Sequence, residues 1–134
     1  MTLVDTSVVV AAFASWHEHH AAADDAVGAG PDLVTHCAVE TFSVLTRLPP
    51  PHRVPPHLVR DFLAARFRRP YVGLEPNGYR TLIPRLVELG LSGGAVYDAL
   101  VAAVAAAAGQ RLVSCDRRAA QTYERCGVDY RLLV

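Results

Sequence analysis

Four acidic side chains carry most of the chemistry this sequence has to offer: Asp5, Glu40, Asp98 and Asp116. Asp5 closes the apolar run Thr2-Leu3-Val4, and Asp116 closes Leu112-Val113-Ser114-Cys115. Both runs read as short buried strands, so each carboxylate falls at a strand's carboxyl end, where open parallel sheets bind their ligands. Were the two strands neighbours, about 4.8 Å would separate them, and both carboxylates could share one cation. Glu40 lies just past another short strand, Leu33–Thr35, on the same side. Asp98 sits inside an otherwise apolar helix that Gly109 stops. Asp is a poor helix former, and its buried charge is costly unless a hydrogen bond, a cation or a metal compensates it. Taken singly, the acids have simpler uses: Asp5 could cap the following helix and Glu40 could complement a helix dipole. Asp98 resists that explanation.

The elements that must position these acids alternate along the chain. Strands are predicted at Leu3–Val4, Leu33–Thr35, Tyr71–Leu74, Arg111–Cys115 and Tyr130–Val134, about five in all. Between them the sequence predicts a helix capped by Thr6 or Ser7, then helices over His17–Val27 and Cys37–Leu48. Val39, Phe42, Ser43 and Thr46 fall on one side of the latter, and Pro49-Pro50-Pro51 ends it. Pro55-Pro56 opens the next, whose apolar face is Leu58, Val59, Phe62, Leu63 and Phe67. Tyr79–Leu89 is helical with Pro84 expected to kink or restart it, Ser92 is expected to cap the Asp98 helix, and Ala119–Cys126 is a last short helix before Gly127. Strands alternating with helices imply a parallel sheet covered on both faces, a three-layer α/β/α sandwich in one domain spanning residues 1–134.

Composition removes several function classes. The chain has 134 residues, 51% hydrophobic and 19% charged, with 13 basic and 13 acidic groups, so net charge points to neither nucleic acid nor membrane. Every basic residue is Arg. Without Lys, P-loop phosphate binding and Schiff-base catalysis are excluded. Cys37, Cys115 and Cys126 form neither a CxxC pair nor an even set, so free thiols in a cytoplasmic protein are expected. No signal peptide is visible, and Ala99–Ala108 is too short an apolar run to span a bilayer.

Three stretches, DTSVVVAAF from Asp5, HCAVETFSVLTRL from His36 and YDALVAAVAAAAGQRLVSCD from Tyr97, together resemble the PIN-domain nucleases, most closely the VapC-type toxins of bacterial toxin–antitoxin pairs. The resemblance covers nearly the whole chain. It implies a PIN-like sandwich, a metal-dependent endoribonuclease, and Asp5, Glu40, Asp98 and Asp116 as the catalytic, metal-binding acids. Arg47 would be the basic residue after the second motif, with Thr6 and Ser114 in support; Ser114 keeps the hydroxyl where relatives commonly carry Thr. Arg117, Arg118, Ala119 and Ala120 follow Asp116, so a fifth acidic ligand is not expected there. An RNA substrate, a cognate antitoxin and a homodimer are also implied. The chemistry fits this inventory. Four close carboxylates cannot all stay ionised without a cation, and oxygen-only ligands suit Mg²⁺ or Mn²⁺, which can activate water against a phosphodiester.

Other signals are weaker. His17, Glu18, His19 and His20 read as a solvated helix start rather than a zinc site, and Gly93-Gly94 lacks a dinucleotide-binding context. Arg66, Phe67, Arg68, Arg69 and Tyr71 interleave charge and aromatic rings, as RNA-contacting surfaces do, but favour a helix C-terminus before Pro70. An antitoxin groove is expected between the helices Cys37–Leu48 and His57–Arg69. Two rival functions are an RNA-binding module without turnover, opposed by the complete acid set, and a phosphoacceptor domain, opposed by the missing lysine.

Overall fold

β-branched residues would extend as strand through Val10 on propensity alone, but Asp5 interrupts them. Its backbone is extended, and its side chain accepts the Val8 N–H at 3.3 Å, an N-cap that turns the chain into a helix. In the computed structural model, which describes residues 1–134, the chain runs β1 (Thr2–Val4), α1 (Thr6–Phe13), α2 (His20–Gly28), β2 (Asp32–Leu33), α3 (Thr35–Thr46) and α4 (Pro56–Arg66). It continues with α5 (Pro76–Leu89), α6 (Ala95–Ala108), β3 (Arg111–Ser114), α7 (Arg117–Cys126) and β4 (Tyr130–Leu132). All pairings are parallel, in the order β2-β1-β3-β4. The chain leaves β1 for β2 on one side and reaches β3 on the other, so strand order reverses between β1 and β3. Asp5 and Asp116 straddle that switch point. Helix α1 packs on α2 and α3, and α3 on α4; α6 packs on α5 and α7, giving the two helical layers of the sandwich.

Several expectations need correction. The fifth strand is reduced to a single bridge, Val72 to Val34, because Pro70 and Gly73 leave room for no more. The cap of α1 is Asp5 itself rather than Thr6 or Ser7, which frees both hydroxyls for the site. Ser92 caps nothing: Gly93 takes a left-handed φ of 61°, and α6 starts from Gly94 without a side-chain cap. Helix α5 runs through Pro84 unbroken, since Pro84 faces solvent and water can satisfy the carbonyl it orphans. Helix α2 begins at His20, not His17; the preceding residues form a turn in which His17 Nδ1 accepts the His19 N–H at 3.1 Å.

The 30-residue apolar core is built from both helical layers and the sheet. Helix α3 buries Cys37, Ala38, Thr41 and Leu45, and turns Val39 and Phe42 to solvent. Helix α4 splits the face read from sequence: Val59, Leu63 and Phe67 are core, Phe62 packs edge-on against Phe13 at 5.1 Å, and Leu58 is exposed. The apolar face of α4 is therefore mostly core, with Leu58 left outside it. The basic stretch is also placed differently. Arg66 pairs with Asp24 of α2 at 2.9 Å, and Arg69 with Asp32 of β2 at 2.8 Å, so these arginines stitch α4 and the following loop across to earlier elements.

Candidate metal centre

The switch point gathers the four acids from four different elements. Asp5 and Asp116 end β1 and β3, Glu40 comes from α3, and Asp98 from the first turn of α6. They line one small cavity of about 50 Å³ together with Thr6, Ser7, Cys37, Tyr97, Val101, Ala119 and Tyr123. No arginine is among the lining residues, so nothing of fixed positive charge neutralises the carboxylates inside it.

Asp5 lies deepest, 4% exposed. Its Oδ1 accepts the Ser7 hydroxyl at 2.5 Å and its Oδ2 accepts the Tyr123 hydroxyl at 2.8 Å. Burial raises its pKa, against the lowering effect of the Ser114, Ser7 and Tyr123 hydroxyls and the Val8 N–H. Ser7 Oγ also accepts the Cys115 N–H at 2.8 Å and lies 3.3 Å from Ser114 Oγ, while Ser114 Oγ accepts the Asp116 N–H at 3.0 Å. A hydroxyl chain thus joins the ends of β1 and β3. Asp116 caps α7, its Oδ1 accepting the N–H groups of Arg118 at 2.9 Å and Ala119 at 3.4 Å. Thr6 donates to Glu40 Oε1 at 2.5 Å, and His36 Nε2 stands 3.7 Å from Glu40 Oε2.

Asp98 has no such donor. Its carboxyl is pushed up to about 6, first by partial burial and then by the charges of Asp116, Asp5 and Glu40. Mutual repulsion of this kind is what a bound cation relieves. No three His, Cys, Asp or Glu side chains stand at the spacing of an assembled metal site. The donor set fits a hard divalent ion nonetheless: four carboxylates and neutral hydroxyls, with one sulfur, the Cys37 thiol, kept protonated by burial that pushes it up to about 12.

Comparison with known proteins decides the family. A sequence profile of the PIN domain matches residues 2–125. The chain belongs to the PIN-domain family. Within it, the chain is 50% identical over 133 residues to Ribonuclease VapC40 of Mycobacterium tuberculosis, covering 99% of both chains. It is 40% identical over 126 residues to Ribonuclease VapC27 of the same organism, covering 94% of this chain and 85% of that one. Two solved structures share the fold: PAE2754 from Pyrobaculum aerophilum has a TM-score of 0.65 at 22% identity, covering 96% of this chain and 89% of that one. FitAcB from Neisseria gonorrhoeae has a TM-score of 0.65 at 17% identity, covering 97% and 96%.

Within this PIN domain the sequence reading and the structure agree on where the acids go, but not on all that surrounds them. Arg47 stays away from the cavity, at the end of α3, donating to Ser43 Oγ at 2.8 Å. Ser7 and Tyr123 were not anticipated. Ser7 directly follows Thr6, so its hydroxyl was in view once Asp5 is taken as the cap. Tyr123 lies seven residues beyond Asp116, two turns along the buried face of α7, and only the packing of that helix brings it under Asp5.

Proposed function

We propose that this VapC-type PIN domain is a divalent-metal-dependent endoribonuclease, the toxin of a toxin–antitoxin pair, with Asp5, Glu40, Asp98 and Asp116 as its metal-binding and catalytic acids. The observation that carries the reading is one cavity lined by four carboxylates from four elements and by no arginine. A bound Mg²⁺ or Mn²⁺ would supply Lewis acidity toward water and the phosphate oxygens. The residues of the chain do the positioning. The caps at α1 and α7 fix Asp5 and Asp116, Thr6 fixes Glu40, and Tyr123 and Ser7 hold the two oxygens of Asp5. Ser114 ties the Asp116 backbone to that same chain of hydroxyls. Asp98, pushed up to about 6 by partial burial and by the charges of the other three acids, is an acid that a cation would relieve.

The purified chain should cleave single-stranded RNA internally in Mg²⁺ or Mn²⁺ and stop when EDTA is added. Undiminished cleavage in excess EDTA would remove the metal from the mechanism. Comparing the two ions at matched concentration identifies which one serves.

Ribonuclease VapC40 and Ribonuclease VapC27 bring an antitoxin partner into the proposal by their type, and no helix here is long and apolar enough to cross a membrane. A homodimer is part of the same reading. Tyr79, Ile83 and Val87 are 46%, 60% and 77% exposed and recur every four residues, an apolar stripe along the outside of α5. A stripe shared by two copies can meet across a two-fold axis. Sedimentation should therefore give a dimer for the wild type and a monomer for Ile83→Asp; a dimer in both would remove α5 from the interface.

A further inference from the structure

Beyond the acids, a wider cleft of about 550 Å³ leads outward from Thr6, Ser7, Glu40 and Asp116 to His17, Glu18, His19 and Arg117. Trp16 does not line the cleft itself but directly precedes its lining residue His17, the two ring centroids 6.0 Å apart. Trp16 is 52% exposed, the only tryptophan of the chain, and its ring lies on His52 with centroids 4.2 Å apart and planes 35° from parallel. His52 belongs to the proline-rich connection between α3 and α4, so the stack braces the α1–α2 turn against that loop and fixes the indole in place. The stack on His52 leaves about half of the side chain open to solvent. A rigid, half-open aromatic ring beside a nuclease cleft is what an unpaired nucleobase stacks on.

Charge supports this choice of contact. The cleft carries three carboxylates, Glu18, Glu40 and Asp116, against the single guanidinium of Arg117, and the whole chain is formally neutral. Phosphate attraction, the usual source of affinity for RNA, is therefore scarce. Affinity must come from ring faces and from the cation at the acids. We infer that Trp16, backed by His52, is a stacking platform for an unpaired base of the RNA substrate flanking the cleaved bond, with Arg117 meeting the backbone between platform and acids. The inference rests on the ribonuclease reading and adds to it how the substrate is held.

Trp16 reports on its own occupancy, because no other tryptophan contributes to the fluorescence. Titrating the protein in EDTA with a ten-nucleotide single-stranded RNA should quench that emission saturably, and the same sequence as a duplex, its bases already stacked, should not. With Mg²⁺ present, Trp16→Ala should raise KM roughly 5- to 150-fold, the range for one base–aromatic stack, with kcat within about twofold, and Trp16→Phe should recover most of the loss. Salt should weaken binding only shallowly, with a log–log slope of about −1 or less in magnitude. Emission unchanged by single-stranded RNA, equal quenching by the duplex, or an unaltered KM in a folded, cleaving Trp16→Ala protein would each overturn the inference. So would a Trp16 signal that responds only to protein concentration or to the antitoxin, which would make the ring a protein contact. The titration needs no cleavage, so failure of the platform and failure of the ribonuclease assignment give different results.

Discussion

Asp98→Asn should lower metal-dependent RNA cleavage by at least about 10²- to 10³-fold, the loss expected when one charge-stabilising group is removed from a preorganised site. The folded protein should survive the change. Asn keeps the size of the side chain, and in wild type the Asp98 carboxyl is pushed up to about 6 by partial burial and by Asp116, Asp5 and Glu40. At pH 7 it is mostly ionised, so its charge opposes the metal-free fold, and the neutral amide should melt at or above the wild-type temperature. Cleavage assays and thermal melts on the same preparation check both halves. A folded variant that cleaves at the wild-type rate would take Asp98 out of the catalytic set. In cells the same substitution should abolish growth inhibition without lowering protein abundance.

The second large effect couples the ion to stability and to pH. Folded Asp98 and Asp5 both hold their protons more tightly than an unfolded carboxyl of pKa 3.8 does. Their metal-free contribution is therefore most favourable below about pH 4 and is lost as pH rises through the folded value, about 6 for Asp98. For Asp98 the loss is about 1–2 kcal/mol once its solvent exposure is discounted. A divalent ion held by the ionised acids, as proposed, would reverse the sign. At 100 times its Kd it should add about 2.7 kcal/mol by mass action, which is on the order of 10 °C in Tm for a domain of this size. The shift should be near that size at pH 7 and nearly vanish at pH 4. Asp116→Asn should gain much less from Mg²⁺ or Mn²⁺ while being at least as stable without them, low ionic strength making the contrast largest. Equal metal stabilisation of the two proteins would show that Asp116 is not a ligand.

The acids were legible because parallel sheets bind at carboxyl strand ends, and Asp5 and Asp116 each follow an apolar run on neighbouring strands, the register carrying Asp5 level with Ser114, two residues before Asp116. The layer order and most helices followed from the same periodicities. What stayed hidden was tertiary. On α3 Val39 and Phe42 suggested one face, yet the helix buries Leu45 together with Cys37, Ala38 and Thr41, the last three small enough for close approach to α1. Tyr123 could not be connected with Asp5 across 118 positions without the packing of α7. Arg66 and Arg69 looked like helix-end charges because their partners, Asp24 and Asp32, lie 42 and 37 residues earlier. Ser92 read as a cap because nothing local shows that Gly93 will turn left-handed.

The double duty of Asp5 and Asp116 constrains which acids these sites can accept. Each begins a helix by capping it as well as facing the cavity, and a cap needs an oxygen on Cβ or on the carbon bonded to it, a reach that Asp and Asn have and that the extra methylene of Glu overshoots. At these two positions a charge-conserving exchange to Glu is thus the more damaging one, because it gives up the helix start and moves the ligand together, whereas Asn gives up only the charge. Glu40 and Asp98 cap no helix, so there an exchange changes the reach of the acid, the Thr6 contact at Glu40 and the local helix propensity without removing a helix start. Exchange between Asp and Glu should accordingly be tolerated better at 40 and 98 than at 5 and 116, and if the four acids hold the ion as proposed, those two positions are where ligand length can be varied.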